Sequence, residues 1–149
     1  LNAGSSSLKF AAFTSDGVSR GKVETSDPDA ALAGVLVNCP DVAAVGHRVV
    51  HGSLKFPGPV AVDEGVLAAL DELVPLAPLH EPHSLAIIRA VRRALPDVPQ
   101  VACFDTSFHR TQPEVAQRFG LPRKYHDEGV RRYGFHGLSY ESIASKLGD

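Results

Sequence analysis

The sequence has no methionine and no tryptophan, and only two cysteines, Cys39 and Cys103. Two cysteines without a CxxC spacing build no disulfide framework, and their apolar or strand-like surroundings fit a reducing compartment. No apolar run nears the roughly 18–20 residues of a membrane span. No signal-peptide pattern is evident, so the expected location is cytoplasmic. Basic blocks are lacking too. With a net charge of -2 and a pI near 6.4, nucleic-acid binding has no electrostatic footprint. The missing methionine removes an initiator, and the chain starts one residue before a small-residue turn. A fragment cut at both ends is the expectation.

What is present is ordinary globular composition, 44% hydrophobic and 21% charged over 149 residues. That length suits one domain, able to bury roughly 68–70% of its unfolded surface. "LKFAAFT" (8–14) and "VSRGKVET" (18–25) read as antiparallel strands around the turn "SDG". "DPDAALAGVLVN" reads as a helix with Asp27 as N-cap and Pro28 at its first position. "DVAAVGHRVVHG" is a strand ending at Gly52, and "VDEGVLAALDELV" is a helix. "PLAPLHEPH" has three prolines in nine residues and is expected to be irregular. "SLAIIRAVRRALP" is an amphipathic helix with Leu85, Ile88, Val91 and Leu95 on one face. "PQVACFDT" is a buried strand with Asp105 at its polar end. "PEVAQRFG" is a short helix, "LPRKYHDEGVRRYGFHG" is irregular, and "LSYESIASKL" is a helix with Ser139 as candidate cap. Strands followed by alternating helices and strands indicate a mixed α/β domain.

"NAGSSS" then raises a choice. It runs straight into a strand, so Asn2, Gly4, Ser5, Ser6 and Ser7 form a tight turn between two strands. Glycine permits positive φ, N–H groups can converge there on an anion, and three hydroxyls add donors. Spacing alone fits a phosphate cradle and an ordinary hairpin turn equally. In "GHRVVHG", alternation puts Arg48 and Val50 on one face and His47, Val49 and His51 on the other. An arginine beside an apolar side chain suits a small anion with a short tail. The alternative is an arginine paired with a core acid. Asp105 ends a buried strand, where ligands of α/β sheets gather. "YGFHG" sets Phe135 and His136 before a helix start, a position favourable to anions. The pairs His80/His83 and His47/His51 have zinc-like spacing, but prolines surround the first and strand geometry splays the second.

Five strings in this order, "NAGSSSLKF", "GHRVVHG", "APLHEPH", "FDTSFH" and "RRYGFHGLSYESIA", resemble the acetate kinase or acetokinase family, which includes propionate and butyrate kinases. The resemblance runs over essentially the entire chain and corresponds to the family's N-terminal domain. It implies a ribonuclease H-like fold of the actin, Hsp70 and sugar kinase type, a mixed sheet flanked by helices. Residues 1–149 would be one such domain, without the start of its first strand and without the second, nucleotide-binding half. The activity implied is reversible, direct in-line phosphoryl transfer between ATP and acetate, giving ADP and acetyl phosphate, with Mg2+. The full-length protein would be a homodimer with no membrane or nucleic-acid partner, and the 149 residues alone would be inactive.

The resemblance also implies roles. Asn2 would serve the metal, and Ser5 and Ser7 the phosphates. Arg48 would clamp the carboxylate or the transferring phosphoryl group. Val50, Leu79 and Phe135 would line the acyl pocket, with His80 and His136 as site histidines and Asp105 as the essential carboxylate. Ser53 stands where the family usually has glycine, and "HEPHS" replaces the more common Asn-Pro-Pro-Asn, making Glu81, His83 and Ser84 atypical.

Acetate is already ionised at pH 7, so transfer needs no general base. Asp105 is therefore expected to organise magnesium, its waters or a neighbouring side chain. A covalent aspartyl or glutamyl phosphate ranks lower. A non-catalytic ATP-binding module of the same fold is the rival reading, and it would need no carboxylate clamp beside an apolar pocket.

Overall fold

A computed structural model describes residues 1–147. Six strands form one sheet in the order β3-β2-β1-β4-β6-β5. They are β1 Asn2–Ala3, β2 Ser7–Thr14, β3 Gly17–Glu24, β4 Val45–Val49, β5 Val60–Ala61 and β6 Gln100–Phe104. The central strands β1, β4 and β6 run parallel, and the others are antiparallel to their neighbours. Parallel neighbours need long crossovers, and helices supply them. These are α1 Pro28–Leu36 between β1 and β4, and α2 Glu64–Asp71 and α3 Glu81–Ala94 between β4 and β6; α4 Glu114–Gln117, α5 Arg123–Asp127 and α6 Gly137–Leu147 follow the last strand.

The local signals explain most of this. Asp27 accepts from the N–H groups of Asp29 and Ala30, satisfying two orphan donors of α1. Asp63 caps α2 through Val66 N–H at 2.7 Å. Along β4, Val45, His47 and Val49 are buried while Arg48 is half-buried. That alternation turns the apolar residues toward α3. Leu85 and Ile88 of α3 join Val49, Phe104, Leu67 and Leu70 in one cluster. Ile87, Ala90 and Val91 of the same helix join Leu8, Leu32 and Val45 in the other, with Leu95 packed against it. One helix thus ties both halves of the core together.

Four expectations need correction. The segment 75–83 is not irregular throughout: Val74–Leu76 is a 3₁₀ turn and α3 begins at Glu81. Pro82 is tolerated because a first-turn N–H has no intrahelical partner anyway. The strand expected to reach Gly52 stops at Val49, where the ladder partner β6 also ends. Ser139 is not a cap, since α6 starts at Gly137 and the Ser139 N–H donates to His136 C=O. The stretch 121–137 holds a short helix, α5. The two-residue strand β5 was not expected at all; so short an edge carries no periodicity to read.

Candidate active site

Three neighbouring parallel strands end at one place. Asn2 of β1 stands opposite Arg48 of β4, and Arg48 stands opposite Cys103 of β6. Two residues past Cys103, on the same side by alternation, comes Asp105. The sheet itself therefore delivers Asn2, Arg48 and Asp105 to its carboxyl edge. Asp105 opens a 3₁₀ turn, Asp105–Thr111, and is 1% exposed.

Arg48 is the hub. Its Nε donates to both Asp105 oxygens, at 3.3 Å to Oδ1 and 3.1 Å to Oδ2, and its Nη2 donates to Oδ2 at 2.5 Å. Nη1 donates to Asn2 Oδ1 at 3.0 Å. Nη2 also lies 3.4 Å from His136 Nδ1. A guanidinium can only donate, so Nδ1 is the acceptor and the imidazole carries its proton on Nε2. A buried carboxylate needs such a partner, because an unpaired buried charge is costly. The alternative of an arginine paired with a core acid thus describes the geometry, and the acid is Asp105 itself.

His136 has φ +58, one of two positive-φ residues other than glycine among the described residues. That conformation costs a non-glycine residue about 1–2 kcal/mol. It reverses the chain into α6 and carries the imidazole to the Arg48 side. The next residue must be glycine: a Cβ on Gly137 would lie 2.0 Å from Asp105 C=O and 2.6 Å from Phe108 Cβ. The start of α6 is thereby pressed onto the turn that holds Asp105.

The Asn2–Ser7 segment is a tight hairpin, closed by Gly4 N–H donating to Ser7 C=O at 2.8 Å. Ser5 and Ser6 are exposed and Ser7 half-buried. Val50 is half-buried, and Leu79, His80 and Phe135 are exposed. The structure brings together Asn2, Arg48, Asp105 and His136. It does not close an apolar pocket around Val50, Leu79 and Phe135.

The Asp105 and Asn2 oxygens at this edge are of the type a hard cation such as Mg2+ takes, though among the described residues no group of three or more His, Cys, Asp or Glu side chains is placed to ligate an ion directly. Both Asp105 oxygens and the Asn2 oxygen already accept from Arg48, so the set suits a cation held through its waters rather than by direct ligation. The histidines of β4 serve other ends. Buried His47 Nε2 lies 2.8 Å from Gln100 Oε1, and burial holds its pKa down to about 4. His51 packs edge-on to Tyr133, with ring centroids 4.4 Å apart, and burial lowers its pKa.

One buried acid escaped the sequence reading as a site-adjacent group. Glu81 is 0% exposed, accepts weakly from His51 N–H at 3.4 Å, and leaves Oε1 without a partner. Burial pushes its pKa up to about 7. Its departure from the family pattern was the available signal.

Among the described residues, no helix is long and apolar enough to cross a membrane. The acetokinase family model matches residues 31–149. Over 107 residues the chain is 60% identical to an acetate kinase of Methylocella silvestris, covering 72% of this chain and 26% of that protein. The acetate kinase of Entamoeba histolytica superposes with a TM-score of 0.82 at 34% identity, covering 99% of this chain and 44% of that one. A propionate kinase of Francisella tularensis gives a TM-score of 0.81 at 30% identity, with 98% and 46% covered. The chain thus spans less than half the length of these relatives. Its fold is the ribonuclease H-like, actin, Hsp70 and sugar kinase type, and the chain belongs to the acetokinase family.

Proposed function

We propose that residues 1–149 form the N-terminal domain of an acetate kinase and supply one wall of its transfer site. The reaction is in-line transfer of a phosphoryl group between ATP and acetate, and the observation that carries it is the convergence of Asn2, Asp105 and His136 on Arg48. A second domain supplies the adenosine pocket. Two anions must meet in this reaction, so catalysis is positioning and charge neutralisation.

Arg48 has five N–H donors and spends four of them on Asp105, Asn2 and His136. To grip an oxyanion with two N–H groups it must release Asn2 or His136. Asp105 keeps the guanidinium aimed while that exchange happens, and it abstracts no proton because the nucleophile is already ionised. His136 keeps an Nε2 proton to offer a phosphoryl oxygen. Ser5 and Ser7, in the open hairpin, offer hydroxyls to the phosphates. Mg2+ would neutralise phosphate charge, held through water by Asn2 and Asp105. Val50, Leu79, His80 and Phe135 face the acyl group once the cleft is complete. The whole protein works in the cytoplasm as a homodimer.

Propionate is the second reading, and the match to a propionate kinase favours keeping it. One methylene distinguishes the substrates by only ~1–3 kcal/mol. The test is acyl phosphate formation by the whole protein from ATP with acetate, propionate or butyrate, trapped with hydroxylamine. Acetate is expected to give the highest kcat/KM, and the 149 residues alone no turnover. Absence of any trapped product from the whole protein would leave the non-catalytic module.

A further inference from the structure

The ten arginines divide in a telling way. Among the described residues, Arg48, Arg89, Arg92, Arg93, Arg118 and Arg123 each pair with a carboxylate. Of the four that pair with none, Arg20 lies on the outer strand β3, and the other three, Arg110, Arg131 and Arg132, line a single cleft. Among the described residues no Asp or Glu is in its walls, which also include Ser53, Thr106 and His109.

Two hydroxyls of the cleft are left with a proton to donate. Thr106 Oγ1 accepts from Gly52 N–H at 2.9 Å, and Ser53 Oγ accepts from Lys55 N–H at 3.1 Å. Each hydroxyl proton is left free to donate inward. Arg110 spends one N–H on Leu54 C=O at 3.1 Å, and Arg131 one on Gln117 Oε1 at 3.5 Å. Arg132 stacks over Phe119 at 5.5 Å and spends none on a carboxylate. Three cations close together repel one another, and an oxyanion would relieve that repulsion while taking the unspent donors in pairs. The cleft is shallow and open to solvent, with about 20 Å³ of sheltered space, so an oxyanion would sit at its mouth against the arginines.

We propose that the cleft between Ser53, Thr106 and the Arg131–Gly134 segment is a second anion site, specific for phosphate groups. It shares no residue with the Arg48 cluster and does not rest on the transfer reading. Thr106 directly follows Asp105 in the chain, so occupancy bears on the turn that holds Asp105.

The experiment is titration of the 149-residue chain with inorganic phosphate at constant ionic strength, followed through the arginine Nε–H and backbone amide NMR signals. Saturable shifts are expected at Arg110, Arg131, Arg132, Ser53 and Gly134. The double variant R131Q/R132Q is expected to weaken binding about tenfold or more there, while leaving any shifts at Gly4–Ser7 unchanged. Should that variant not fold, exposed Arg110→Gln is expected to weaken it roughly threefold. A phosphate monoester run in parallel identifies the source: tighter binding than inorganic phosphate marks a phosphorylated metabolite, weaker binding the free ion. Shifts that never saturate, an unchanged affinity in the variants, or equal binding of acetate would overturn the assignment.

Discussion

Arg48 grips Asp105 through two different nitrogens, Nε and Nη2, so that the guanidinium plane is fixed relative to a carboxylate that is 1% exposed. Removing the arginine strands a buried acid. Arg48→Ala is therefore expected to lower the stability of the chain by about 3 kcal/mol, at the low end of the range for broken buried pairs because the Arg48 side chain is 29% exposed. Urea unfolding measures this. In the whole protein the same change should lower kcat by about 10³ or more with little effect on the KM for ATP. A kcat within a few-fold of the parent would make the pair purely structural.

His136 separates backbone from imidazole. His136→Gly should relieve about 1–2 kcal/mol of left-handed strain while deleting the ring that meets Arg48. His136→Ala deletes the ring and keeps the strain. The glycine variant is expected to be the more stable of the two by thermal unfolding, with the same loss of kcat. If the glycine variant retained full turnover, the imidazole would have no part in transfer.

At Gly137 the clash with Asp105 C=O and Phe108 leaves no room for a methyl group. Gly137→Ala should push α6 off the 3₁₀ turn and cost about 1–3 kcal/mol. Because His136 moves with the helix start, its contact with Arg48 should break as well. Melting temperature and the His136 ring resonances report both effects. An unchanged melt would mean that α6 docks loosely.

Two buried titratable groups work against each other with pH. Glu81 has a folded pKa of about 7, above its ordinary 4.5, so the native state keeps a proton that the unfolded chain has lost. Its contribution is fully present below pH 4.5 and declines as pH rises to 7. His47 has a folded pKa of about 4, below its ordinary 6.5, so the native state resists a proton that the unfolded chain takes. Its contribution grows from pH 4 to 6.5. Each effect is about 3 kcal/mol, and between pH 4.5 and 6.5 they oppose. Glu81→Gln removes the declining term alone. Its stability relative to the parent should thus improve by about 3 kcal/mol between pH 4.5 and 7 in urea titrations. A constant difference across that window would show that Glu81 titrates like an exposed acid.

Val50 is half-buried just past the end of β4, two residues beyond Arg48. Val50→Ala in the whole protein should raise kcat/KM for propionate relative to acetate, by roughly tenfold at most. An unchanged ratio would remove Val50 from the acyl wall.

The sequence was legible where the signal is local. Asp27 before Pro28 announced α1, alternation in "GHRVV" sorted Arg48 from His47, and the spacing of Leu85, Ile88 and Val91 oriented α3. Those patterns work because a helix or a pleated strand repeats its faces within a few residues. The Arg48–Asp105 pair was written only as two separate candidates, and whether Arg48 met ligand or core acid stayed open. Parallel pairing of β4 with β6 decided it, by setting Arg48 beside Cys103 across more than fifty residues of chain. The same holds for Glu81: nothing in "LHEPHS" says that its carboxylate is sealed under His51. Periodicity fixes which way a side chain points from its own backbone, whereas register and close packing fix what it meets, and those depend on atoms far away in the chain.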